Sequence, residues 1–228
     1  MITNKTKIVG LIAFFLFILC FFLDFVAVLI SFGSIESAGS LKGTMVMLYI
    51  FEILFEFLII GCAVFGVYKL AIKADRDSAF RRGIDCVGSF AVFIAFAEFY
   101  AIHIVNEIAR HNNTTYPISG TVVAIIVFTV IAAVLALVAS LKKVKMPMAA
   151  RTFLTIGSAL LMIVVLIILL AQGSLMTLTV VEYIILIIGL VTFMAFIYFC
   201  MEDQRAEELA ATNKPEEPAF EENKSLEE

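Results

Sequence analysis

Charge is scarce in this chain: 16% of its 228 residues are Asp, Glu, Lys or Arg, against about a quarter in soluble domains, while 62% are apolar. With so few charges and a mean hydropathy of +1.06, a soluble catalytic domain is excluded, because apolar stretches long enough to cross a bilayer take up most of the length. Paired cysteines are also missing. Cys20, Cys62, Cys86 and Cys200 lie in or beside apolar stretches and none has CxxC spacing, which argues against a disulfide framework or a zinc ribbon. No Walker sequence, GxSxG, GxGxxG or motif-like aspartate pair is present, so nothing points to phosphoryl, acyl or hydride chemistry; the balance leans against an enzyme, with an intramembrane metalloenzyme using His103 left open. A clustered basic face is lacking too, so no nucleic-acid partner is expected.

What remains reads as an all-α membrane bundle. Charges and turn residues divide the apolar sequence into six spans, at about 8–32, 44–72, 84–106, 118–141, 152–171 and 175–200. The last two are separated only by "QGSL", but an apolar stretch of that combined length is too long for one crossing and suits a helical hairpin. The first apolar stretch, behind Lys5 and Lys7, is longer than a signal-peptide core and lacks a small-residue cleavage site, so it reads as a retained span. Placing the N-terminus inside puts fourteen of the sixteen Lys and Arg residues on the cytoplasmic side, leaving only Lys42 and Arg110 outside. Both termini are therefore expected in the cytoplasm, and the plasma membrane is the expected location.

Two regions follow: a six-span domain over residues 1–201 and an acidic cytoplasmic tail over 202–228. The tail holds ten acidic and three basic side chains; it begins as a continuation of the last helix and, after Pro215 and Pro218, is expected to be disordered. The loops between spans are short, and the overlapping N-x-T patterns at Asn112 and Asn113 read as polar turn residues close to the membrane. Small residues at helical spacing, Gly88, Ala91 and Ala95 in span three and Ala132, Ala136 and Ser140 in span four, predict that these two spans pack closely. Arg82 with Gly88-Ser89 recurs in spacing as Arg151 with Gly157-Ser158, a weak sign of related hairpins. Span one, "FFLFILCFFLDF", is bulky on all sides and is expected at the lipid-facing rim.

The residues that carry chemistry are carboxyl groups. Asp24, Glu52, Glu56, Glu98 and Glu182 all lie inside spans, and at about 1.5 Å rise per residue they fall between the midplane and the outer third of the membrane. Exposing one charged side chain to hydrocarbon costs at least about 2.5 to 3.5 kcal/mol, so all five are expected to face the bundle interior. No Lys or Arg lies in the spans beside them. A cluster of acids without bases cannot all be ionised in a low-dielectric interior, so protons or bound cations must balance them. The expectation is an ion or proton site built on Glu56, Glu98 and Glu52, with Asp24 and Glu182 as gates or outer groups, serving transport or permeation of a small ion or solute. The alternative is a non-catalytic membrane partner subunit or organiser, in which the acids hold helices together or receive a basic residue from another protein's span; the expected assemblies are a homo-oligomer or a complex with a membrane partner subunit. A second set, His103, Glu107 and His111, repeats every four residues at the outer end of span three and supplies metal-binding side chains, although HxxxExxxH is not the HExxH of zinc proteases. No cofactor beyond a bound cation is expected, and the lipid bilayer is the surrounding partner.

Overall fold

The computed structural model describes residues 2–32, 42–112, 119–172 and 177–212. Among these residues the chain is all-helical. Its six helices are α1 (Asn4–Phe32), α2 (Lys42–Tyr68), α3 (Arg76–His111), α4 (Gly120–Ser140), α5 (Met148–Ala171) and α6 (Thr177–Thr212), and all six are long and apolar enough to cross a membrane. Most of the loop between α1 and α2, the N-x-T site at Asn113, the Gly-Ser of "QGSL" and the acidic tail beyond Thr212 lie outside the described residues.

Local chemistry explains several boundaries. The Thr3 hydroxyl accepts from the Thr6 N–H at 3.3 Å and caps α1. Asp75 does the same for α3, accepting from the Ser78 N–H at 3.4 Å, and Ser119 for α4, accepting from the Val122 N–H at 3.3 Å. The end of α2 loosens into a π-helical turn, Lys69–Lys73, which stops at Ala74 in a left-handed conformation (φ 44°, ψ 40°). For a residue with a Cβ that geometry costs about 1–2 kcal/mol, and here it turns the chain directly into α3. Helices α3 and α6 run well past the apolar spans read from sequence because polar turns extend them: α6 continues without a break from Met201 through Thr212, across the boundary expected between bundle and tail.

Each helix packs on its neighbours in sequence, and α1 closes the ring against α6, while α3 also reaches α5 and α6 across the interior. Both ends of the described chain meet at one end of this ring, here called the terminal end. There the Thr3 N–H donates to Asp203 Oδ2 at 2.9 Å, Lys7 Nζ donates to the Ala71 carbonyl at 3.4 Å, and Arg76 pairs with Glu207 at 3.4 Å. The start of α1, the end of α2, the start of α3 and the end of α6 therefore share a level, as an up-and-down bundle requires.

The α3–α4 seam follows the small-residue pattern. Ala91, Ala132 and Ala136 are buried, and a Cβ at Gly88 would meet the Ala136 methyl at 3.3 Å. On the other side of α4, Ser158 of α5 donates to the Ala132 carbonyl at 2.8 Å, so both Gly-Ser pairs sit on helices that pack against α4. Helix α1 departs from expectation. Its outer face does meet the surroundings through Phe15 and Phe22, but Phe14, Phe17, Cys20 and Phe21 are buried and form the core of the bundle. Bulky residues around a whole helix do not reveal which face is turned inward; the partners decide, and here they are aromatic. Phe14 meets Phe193 and Phe196 of α6 at centroid distances of 6.3 and 5.9 Å, Phe17 meets Phe193 at 5.6 Å, and Phe21 meets Phe90 of α3 at 5.1 Å.

Gly83 makes this aromatic seam possible. A Cβ there would land on the Phe193 ring and lie 3.3 Å from Phe14 Cζ, and both rings are fully buried with no room to swing aside. Gly61, by contrast, has nothing within 4 Å of an added Cβ. Gly83→Ala is expected to destabilise the folded bundle by about 1–3 kcal/mol, whereas Gly61→Ala stays within about 0.5 kcal/mol; equal melting temperatures for the two purified variants would reject this account of the seam.

Candidate functional site

The acids come from four helices. Asp24 lies on α1, two turns before its far end; Glu52 and Glu56 lie one turn apart on α2; Glu98 lies on α3 and Glu182 near the start of α6. Because consecutive helices alternate in direction, all five fall in the half of the bundle remote from the termini. Asp24, Glu52 and Glu56 converge: one carboxyl oxygen from each lies within 4.8 Å of the others. Glu182 of α6 faces the same space as Asp24. Asp24, Glu52, Glu98 and Glu182 line one cavity of about 200 Å³, together with Ser31, Tyr49, Thr179 and Tyr183. Glu56 sits one turn deeper.

Asp24 thus belongs to the converging trio and lines the same cavity as Glu182 of α6, whereas Glu98 contributes to the cavity wall and is not part of the trio. Sequence spacing on α3, where Glu98 shares a face with Ala91 and Ala95, shows only that Glu98 points inward. Nothing in the spacing of α1 marks Asp24 as central, since its neighbours are decided by how α1 sits between α2 and α6. Sequence does not single out the aromatic wall residue Tyr183, next to Glu182, or Thr179; Thr179 lies one turn before Glu182 and is within reach of helical periodicity, whereas Tyr183, about 100° around the helix, is not.

The electrostatics of the trio set its chemistry. Glu56 is 1% exposed and Glu182 2% exposed, yet no donor reaches Glu56 Oε1, Glu56 Oε2 or Glu182 Oε2 among the described residues. An ionised carboxylate only accepts, so acids facing acids bond each other only when a proton lies between them. None of the five is in an ion pair with a described basic side chain; the ion pairs involve Arg76, Arg82 and Arg110 with Asp77, Glu207, Asp85 and Glu107. At an effective dielectric constant of about 20, two like charges 4.8 Å apart repel by about 3.5 kcal/mol. Three such pairs approach about 10 kcal/mol, which matches the entire stability of a typical fold of about 5–15 kcal/mol. A fully ionised, uncompensated trio is not sustainable.

On its terminal side the acidic cavity meets an apolar layer. Phe17, Phe21, Phe90, Leu186 and Leu190 leave a void of only about 10 Å³ between them, less than one water needs with its hydrogen bonds. The polar site is thus separated from the opposite end of the bundle by packed aromatic rings.

The histidine row is not brought together. Helix α3 does extend through His111, but residues eight positions apart on one helix are separated by about 12 Å along its axis, too far for one ion. His103 and His111 are exposed, and Glu107 is held by Arg110 at 3.0 Å. Among the described residues the one group of three metal-binding side chains in reach of a common ion is Asp24, Glu52 and Glu56.

No known protein family, curated protein or solved structure matches the chain. What the fold defines is a class: an all-helical chain with six helices long and apolar enough to cross a bilayer, consistent with a membrane protein.

Membership of the trio separates Asp24 from Glu98. Asp24→Asn is expected to remove most of the change in melting temperature that a pH series or added Na⁺ or Ca²⁺ produces in the purified protein, while Glu98→Gln retains most of it. Equal responses from the two variants would show that Asp24 has no special place.

Proposed function

We propose that the protein binds a proton or a small hard cation among Asp24, Glu52 and Glu56, and moves it, or a solute coupled to it, across the membrane. The observation that carries this reading is the convergence of three carboxyl groups from two helices, Glu56 buried and Asp24 and Glu52 half-buried, with no basic ion-pair partner among the described residues. Oxygens that coordinate one Ca²⁺ at about 2.3–2.6 Å lie no more than about 5 Å apart, and the separations here, all within 4.8 Å, fall inside that limit. Oxygen-only ligands favour Na⁺, Ca²⁺, Mg²⁺ or a proton over softer metals. Glu182, beside Asp24, supplies a further carboxyl for the same charge, and Glu98, Tyr183 and Thr179 give the cavity a polar wall. With the termini placed in the cytoplasm by the lysine and arginine bias, the site faces the outside of a plasma membrane, and the layer of Phe17, Phe21 and Phe90 is the barrier that must part for passage.

Flux across proteoliposome membranes tests this. Glu56→Gln and Asp24→Asn are expected to lower pH-dependent cation or proton flux at least tenfold while the variants insert and melt as folded proteins. Unchanged flux in both would reject the proposal.

The aromatic layer favours a second reading, because Phe17, Phe21 and Phe90 with Leu186 and Leu190 leave only about 10 Å³ between them beneath the acids. In this reading the protein is a non-transporting partner subunit or organiser, and the acids hold α1, α2 and α6 together or receive a basic side chain from another protein's span. Purification in mild detergent separates the two: a stoichiometric second protein supports the subunit, and a clean homo-oligomer with flux supports the transporter.

A further inference from the structure

The terminal end of the bundle has a cavity of opposite character. It measures about 270 Å³ and lies between the first turns of α3 and α5, the end of α4 and Gln204 of α6. Three guanidinium groups line it, those of Arg76, Arg81 and Arg151, against one carboxylate, Asp77. That carboxylate is 78% exposed and pairs with Arg76 at 3.6 Å, an interaction that solvent screens. Arg76 is anchored by Glu207 at 3.4 Å, but its Nε is buried and has no hydrogen-bond acceptor, because Asp77 stands 3.6 Å away, beyond hydrogen-bonding range. Arg151 Nη2 donates to the Val144 carbonyl at 3.2 Å, which holds its side chain over the loop from α4 to α5. Arg81 is half-buried and has no ion-pair partner among the described residues.

Backbone adds to this positive field. Both α3 and α5 begin here, and helix N-termini present unpaired N–H groups and a partial positive charge. Helix α5 starts behind Pro147 with no side-chain cap, so its first-turn amides have no fixed acceptor. The opposite wall is apolar, built from Phe80, Ile84, Met146 and Met148. A planar guanidinium fork and free amides match a tetrahedral oxyanion, and an apolar wall next to them matches the glycerol and first methylenes of a lipid. Basic pockets between transmembrane helices at one membrane face are the setting in which anionic head groups are held.

We propose that this cavity binds a phosphate-bearing anion, supplied by the head group of an anionic phospholipid in the adjoining leaflet, with Arg81 and Arg76 Nε as the principal donors and Arg151 beside them. The site is distinct from the acidic cavity: its ligand is an anion, its place is the opposite end of the bundle, and it does not depend on transport.

Thermal unfolding of the full chain in a neutral detergent tests it, with dihexanoyl phosphatidylglycerol, dihexanoyl phosphatidylcholine and inorganic phosphate as separate titrants. Phosphatidylglycerol is expected to raise the melting temperature where phosphatidylcholine does not. The concentration for half the effect is expected to rise about fivefold in Arg81→Gln, the loss of one surface cation's attraction, and to stay unchanged in Arg110→Gln at the far end. If Arg151→Gln does not fold, Arg151→Lys keeps the charge, removes the fork and is expected to weaken binding less than Arg81→Gln. A matching response to inorganic phosphate would assign the same site to free phosphate in place of lipid. A wild-type protein indifferent to both phosphatidylglycerol and phosphate, or an Arg81→Gln variant that responds as wild type, would overturn the proposal.

Discussion

The governing constraint is charge balance in a medium that supplies no water. Around most of the ring the helices meet through alkyl groups, aromatic rings and small residues, whose contacts are satisfied by packing alone. At one place α1 and α2 bring three carboxyl groups within 4.8 Å, and α6 adds a fourth beside them. Packing cannot stabilise that arrangement, because repulsion among ionised carboxylates at such distances is comparable to the stability of the fold. Protons shared among the acids, or the cation proposed above, would relieve that repulsion, and the approach of α1 to both α2 and α6 depends on such neutralisation. Bundle closure and site occupancy are in this sense one equilibrium.

Seen along its axis, the bundle has three zones of different chemistry. The far half holds acids, hydroxyls and a polar cavity. The middle is the seam of Phe14, Phe17, Phe21, Phe90, Phe193 and Phe196, which forms because Gly83 and Gly66 leave room for rings where a Cβ would collide. The terminal end holds the arginines, the paired ends of α1 and α6 joined through Asp203, and the π-helical turn that bends α2 into α3. Opposite charges are thus kept apart by a dry layer, and neither group neutralises the other. A bundle built only for stability would gain by pairing them; holding them apart leaves each free to meet a ligand of opposite sign.

The sequence carried much of this and concealed the rest for definable reasons. Six helices were legible because apolar length and the spacing of charges report directly on crossing a bilayer, and the α3–α4 seam was legible because small residues four apart mark close approach. That the acids fall in one half of the bundle followed from rise per residue and alternating direction. Which acid is central did not, since Asp24 takes its role from contacts with two other helices, and the periodicity of α1 contains no information about them. The same limit hid the inward face of α1, where every face is bulky, and the basic cavity, whose arginines come from two helices more than seventy residues apart. The row of His103, Glu107 and His111 shows the opposite error: a tidy pattern on a single helix whose members the helix itself keeps apart.

A cation that enters the acidic cavity faces a definite obstacle. Phe21 and Phe90 meet edge to face at 5.1 Å, and the space between them and their aliphatic neighbours is too small for a hydrated ion. Moving a bare ion past them would forfeit its solvation, a loss of many kcal/mol that no single ring contact, worth about 0.5–1.5 kcal/mol, can offset. In the transport reading proposed above, passage therefore requires the rings to separate, and two of them, Phe17 and Phe21, share α1 with Asp24. Neutralising Asp24 removes its repulsion with the acids of α2 and α6 and so favours their close approach. In that reading the residue that would meet the ion sits on the helix that carries two rings of the layer, so α1 joins the proposed site to the barrier beneath it.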